Sequence, residues 1–315
     1  MGFEKKLSRS SFSIFIDRAH SCYSKRMETW FLLTLCGAFL QNLRSLLQRK
    51  VTDSLSINGA SFVRFLFAIP FAVLLCMFSV DTFTGISDGF LFYVVLGGVA
   101  QIVGTSCLIS AVVQGNFSVG TTLSKTEAAQ AALFGLVVLG DNVSLSVALG
   151  ITVSLLGVIS LSSNTAEMLS RVSRRTLILG LISGTGFAIA AVCFRGASLS
   201  LDGGTFFERA AITVLSAVTL QSIIMGAYLV VREPGEIGKV FDNWKISSAI
   251  GGIGMFASLC WFSAMTLNSA AIVRAVGQVE LLFTLVTTIF WFKEKIRLSQ
   301  VVGMFLIIGG IWLLV

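Results

Sequence analysis

Residues 269–291 read SAAIVRAVGQVELLFTLVTTIFW, and residues 117–139 read FSVGTTLSKTEAAQAALFGLVVL. Wound as a helix, either run is long enough to cross the ~30 Å hydrocarbon core of a bilayer. Each carries a single acid near its middle, Glu280 and Glu127. At 1.5 Å per residue these carboxyls fall about 16–18 Å into their spans, at the bilayer midplane. An ionised carboxylate there costs at least ~2.5 kcal/mol, and acids at such depth mark solute or proton paths.

The rest of the chain is built from similar runs. Of its 315 residues 55% are hydrophobic and 12% charged, against roughly 25% charged in a soluble protein. That balance excludes a soluble enzyme and a large extramembrane domain. The apolar residues come in long unbroken runs, which excludes a β-barrel, whose segments alternate. Runs at about 30–48, 57–79, 89–113, 117–139, 144–163, 176–197, 205–230, 245–266, 269–291 and 298–315 predict an all-α integral membrane protein with ten transmembrane helices. Trp30, Trp244, Trp291 and Trp312 stand near span ends, where aromatic side chains meet the interface. Residues 1–28 form a basic tail, read as retained, that lies on the membrane surface or is a disordered leader.

Counts narrow the chemistry. His20, the single histidine, lies in the tail, which excludes a HExxH zinc site or a histidine base within the membrane. Five of six cysteines lie in apolar runs and give no disulfide framework. No cofactor or metal is called for. The net charge of +7 is assigned to loops near anionic lipid headgroups, with no nucleic-acid partner.

The segment at 164–175 divides ten spans into five and five, 29–163 and 176–315. A shift of 153 residues superposes Glu127 on Glu280, Asp141 on Glu294, Gly150 on Gly303 and Gly157 on Gly310. Five spans per unit force the second unit to enter from the opposite face, giving two inverted five-helix repeats of the kind found in secondary transporters. An even span count puts both termini on one side. The count of Lys and Arg leans toward termini outside.

The segment Val276 to Thr284, then Phe292-Lys293-Glu294-Lys295, Gly303 and Gly310 resembles the end of an EamA domain of the drug/metabolite transporter superfamily. Lys125-Thr126-Glu127, then Gly140-Asp141, Gly150 and Gly157 resembles the same motif in the first repeat. The resemblance implies cytoplasmic termini, a bacterial inner-membrane location and export of small metabolites. Many such domains place proline directly after the mid-span acid, whereas Ala128 and Leu281 stand here. With only Pro70 inside a span, interrupted helices are not expected.

Candidate site residues are chosen by depth and helical phase. Glu127 shares a face with Ser124 and Gln130, and Glu280 with Gly277 and Thr284. Both stripes are expected to line an aqueous cavity between spans four and nine, with Gln278 beside them, and the acids to bind protons or substrate. The competing reading is a protonated carboxyl packed against a neighbouring helix. Lys125 is about 200° around its helix from Glu127, so its ammonium needs Glu280, an anionic solute, or a snorkelling route to an interface. Arg64, Arg209 and Arg274 lie nearer span ends and are read as snorkelling, or as gates and helix-end contacts. Gln41, Asn42, Gln101 and Gln221 are read as interhelical packing groups, and Gly97, Gly98, Gly251, Gly252, Gly150, Gly157, Gly303 and Gly310 as points of close helix approach.

The resulting expectation is a secondary active transporter of small polar or amphipathic metabolites such as amino acids, working by alternating access with protons as coupling ion, as a monomer or homodimer. The alternatives are a multidrug or amine/proton exchanger, and an uncoupled channel-like or lipid-handling protein. An enzyme is not expected, because no Ser/His, Cys/His or metal-ligand set stands in the spans.

Overall fold

The computed structural model describes residues 28–48, 50–51, 54–80, 85–114, 117–161, 173–283, 285–286 and 298–315. The tail up to residue 27, linker residues 164–172, Thr284, Trp291 and Glu294 lie outside the described residues. What is described is nearly all helix, and helical residues fall in every predicted apolar run.

Six segments are long and apolar enough to cross a membrane. They are α1 (Glu28–Gln48), the pair α2 (Ile57–Leu66) and α3 (Ile69–Ser79), α4 (Asp88–Gln114), α8 (Arg174–Leu199), α9 (Phe206–Arg232) and α11 (Trp244–Leu267). Between and after them lie α5 (Phe117–Ser124), α6 (Glu127–Leu139), α7 (Leu145–Leu161), the short α10 (Glu236–Asp242), α12 (Ala270–Val276) and α13 (Leu298–Leu314).

Three of the predicted spans are interrupted, against expectation. Pro70, near the start of α3, cannot donate a backbone hydrogen bond and its ring crowds the carbonyl four residues back, so the span turns at Phe67 and Ala68. The other two interruptions need no proline. Between α5 and α6 the Lys125 N–H is shared between Thr121 O and Thr122 O, and the Thr126 N–H reaches Leu123 O. The hydroxyls of Ser124 and Thr126 bond Thr121 O and Leu123 O, tightening the helix into a three-residue turn. After α12 the chain makes a 3₁₀ turn over Gly277–Val279. Glu127 and Glu280 are each the first helical residue after such a turn. The two repeats thus match in backbone as well as in residue type.

Packing obeys membrane rules, with small residues where helices meet and large apolar ones outside. α8 is the central strut and packs along α4, α5 and α6. It buries Gly180, Gly184, Gly186, Ala188, Ala190 and Ala197, and Phe194 stacks on Phe262 of α11 at 4.6 Å. Phe78, Val137, Phe305 and Trp312 are exposed, as lipid-facing side chains are. The glycines predicted to permit close approach do so. A Cβ on Gly303 would lie 2.7 Å from Gly157 O, and one on Gly157 2.8 Å from Gly303 O, so α7 and α13 meet backbone to backbone. The substitution Gly303→Val is therefore expected to wedge this pair apart at a cost of about 1–3 kcal/mol. A lowered unfolding midpoint of the purified protein checks this, and an unchanged midpoint refutes the contact.

Candidate functional site

The two mid-span acids meet cations donated by the opposite repeat. Lys125 Nζ lies 3.1 Å from Glu280 Oε2. Gln41 Nε2 of α1 donates to the same oxygen at 2.8 Å, and Trp261 Nε1 of α11 donates to Gln41 Oε1 at 3.1 Å. Arg274 of α12 brings Nη2 to 3.9 Å from Glu127 Oε2, and its guanidinium lies over the Trp261 ring, 5.1 Å from the centroid. Gly277 makes room for this indole, since any Cβ there would overlap it. Each of these polar contacts except the Arg274 stacking joins residues before the linker to residues after it.

Two more cations stand close by. Arg44 of α1 is 7% exposed and lies within electrostatic reach of Glu280 and Arg274. Arg64, at the end of α2, feels both Arg44 and Arg274 and stacks on Phe65 at 4.9 Å. Arg44 and Arg64 line one cavity with Phe65, Gln101, Val218, Gln221, Ser258 and Phe262. Gln221 donates to Gln101 Oε1 at 2.6 Å across this space. The free volume is about 10 Å³, room for one water. Gly254 leaves space for the Arg44 stem, which a Cβ would approach to 3.1 Å.

This arrangement corrects several expectations. Arg64 and Arg274 do not snorkel: one lines an internal cavity, and the other is half-buried against Glu127 and Trp261. Arg209 is in the first turns of α9, its Nε buried without a hydrogen bond, and is not among these contacts. Ser124 turns onto Thr121 O. Gln130 bonds Thr126 and, at 2.6 Å, Thr185 of α8, so its amide and the Ser124 hydroxyl are engaged by these partners and not by the acids. Gln278 is 2% exposed, with neither amide atom hydrogen-bonded among the described residues. The cavity described lies among spans one, two, three, seven and eight. Arg44 and Trp261 were missed. The signal for Arg44 was a cation inside an apolar run; the signal for Trp261 was a tryptophan distant from any span end.

Polar contacts close the bundle on either side of this cluster. Gly235, with φ +90°, turns the chain sharply from α9 into α10 and presents Glu233 and Glu236 to the start of α2. Ser56 donates its backbone N–H to Glu236 Oε1 and its hydroxyl to Glu233 Oε2. Asn58 Nδ2 donates to Glu233 Oε1 at 2.6 Å, and Lys239 pairs with Glu236 Oε2 at 3.0 Å. Burial of the Glu236 carboxyl would raise its pKa, but the Ser56 N–H and Lys239 together hold it below the ordinary carboxylate value. At the other end Gly140, with φ +67°, caps α6 and leads into Asp141. Arg195 Nη1 of α8 donates to Asp141 Oδ1 at 2.8 Å and its Nε to Asn268 O, after α11, at 2.9 Å. The 27 residues of α9 separate the two ends by about 40 Å.

The model of the EamA-like transporter family matches residues 28–163 and again 174–315. The chain belongs to the EamA-like transporter family. It is a multi-pass membrane protein made of two EamA repeats, and the charged cluster lies where those repeats meet. The "Uncharacterized inner membrane transporter YhbE" of Escherichia coli K12 and that of Shigella flexneri are each 30% identical over 95 residues. Those matches span 29% of this EamA chain and only 30% of the length of the curated relatives. A solved structure described as "Crystal structure of protein" covers 91% of this chain and 96% of its own, with TM-score 0.68 at 13% identity, which shows a shared fold.

Proposed function

We propose that this EamA-family protein is a secondary active transporter of small polar or amphipathic metabolites, moving them out through the bacterial inner membrane by alternating access. The observation that carries the reading is the largely buried charged cluster whose ion pairs join one repeat to the other, with a polar latch at each end of the bundle. Ten membrane crossings as two inverted five-helix repeats supply the architecture. Rocking of the repeats would break one latch while the other holds. In this reading Glu280 and Glu127 take up protons as their cross-repeat cations withdraw, which couples solute movement to the proton gradient.

The test is solute uptake into proteoliposomes under an imposed pH gradient. Glu280→Gln and Glu127→Gln, measured at a temperature where each stays folded, are expected to abolish the acceleration by the gradient. If both variants retain wild-type rate and pH dependence, the coupling role is lost. Flux that never saturates with solute would favour a channel and remove the alternating-access reading.

A further inference from the structure

The charges around the cavity do not balance. Lys125, Arg274 and Arg44 lie within reach of Glu127 or Glu280, and Arg64 adds a fourth cation beside Arg44 and Arg274. Among the described residues two cations therefore remain in excess with both glutamates ionised, and more if either carries a proton. Arginine does not lose its proton in a protein, so the surplus is permanent. It is concentrated at Arg44 and Arg64, which form no ion pair with any described carboxylate. The Arg44 Nε is buried with no hydrogen-bond partner among the described residues. Arg44 and Arg64 line the cavity together with Phe65, Val218, Phe262, Gln101 and Gln221.

We infer that the cavity is the solute site and that it takes a small organic anion, a carboxylate on an apolar body. The inference rests on the transporter reading above and specifies its substrate class. The carboxylate oxygens would be bound by Arg44 and Arg64, whose planar forks suit a carboxylate, and the apolar body would lie along the aromatic wall. At one water's volume the cavity is closed in this conformation, so entry requires the helices around it to part. A cationic solute would add to the surplus charge, which argues against the amine exchanger.

The experiment uses the full chain purified in detergent, with benzoate and hexanoate as probes, benzylamine and hexylamine as matched amines, and acetate as the anion without a body. Benzoate and hexanoate are expected to raise the unfolding temperature in a saturable way. The amines should have no such effect, and acetate should bind about tenfold more weakly or worse. Arg44→Gln and Arg64→Gln should each weaken the carboxylate effect about tenfold or more. Should Arg44→Gln not fold, Arg64→Gln and the cavity-filling Ser258→Leu carry the test.

Stabilisation by amines in place of carboxylates overturns the proposal. So does the absence of stabilisation by either carboxylate, or carboxylate binding unchanged by Arg64→Gln and Ser258→Leu. Counterflow of labelled benzoate in proteoliposomes separates the two readings. Binding without counterflow removes the transporter and leaves the anion site. Counterflow of an amine with no carboxylate binding removes the anion site and leaves the transporter.

Discussion

Glu280→Gln is expected to destabilise the protein by about 3–5 kcal/mol, the range for breaking a buried ion pair from one side, while Lys125→Met should cost distinctly less. The asymmetry comes from the charge count. Removing Glu280 leaves four cations against Glu127 alone and raises the surplus from two to three. Removing Lys125 lowers the surplus to one. Glu280 then keeps the Gln41 hydrogen bond and the field of nearby Arg44. The double variant Lys125→Met/Glu280→Gln restores the original surplus and should lie closer to wild type than Glu280→Gln alone. Unfolding midpoints against denaturing detergent measure the order. A cost for Lys125→Met equal to or above that for Glu280→Gln would show that the cluster is not in cationic excess.

The spans, the repeat and the two acids were legible because each depends on position along the chain: apolar run length, a constant shift, and charge at a given depth. The Lys125–Glu280 pair was within reach for the same reason, since an ammonium at that depth has few routes to neutrality. The environments of Arg44, Arg64 and Arg274 were not legible. Depth says nothing of rotation about the helix axis, and an arginine near a span end can point outward or inward. Here Pro70 bends the second span just after Arg64, and Gly254 and Gly277 leave room for the Arg44 stem and the Trp261 ring. Helical phase failed at Ser124 for a related reason. A 3₁₀ turn advances about 120° per residue and an α-helix about 100°. The tightened turn before Glu127 therefore takes Ser124 out of phase with Glu127, while Gln130, on the same unbroken α6 as Glu127, has its amide engaged by Thr185 on α8. The predicted stripes assumed unbroken helices.

Loss of the latch at the start of α2 should change which side of the membrane the site faces. Glu233→Gln weakens two charge-assisted hydrogen bonds, from Ser56 and Asn58. Each bond to a charged group is worth about 1.5–3 kcal/mol, so weakening them shifts a two-state equilibrium by about tenfold to 100-fold. The conformation open at that end gains the population. The Arg195–Asp141 latch is untouched and still seals the other. A cysteine introduced at Ser258, on the cavity wall, reports the change as faster labelling by a membrane-impermeant reagent from the α2 side. Asp141→Asn should speed labelling from the opposite side. Acidification should mimic Glu233→Gln through its neighbour. Glu236 has a depressed pKa in the closed state, so its contribution is complete above the ordinary carboxylate value and is lost as pH falls through the depressed one. Labelling from the α2 side should therefore accelerate over that acidic range in wild type, and Glu236→Gln should abolish the dependence. If both latch variants raise labelling from the same side, the two contacts are not opposing gates and alternating access through them fails.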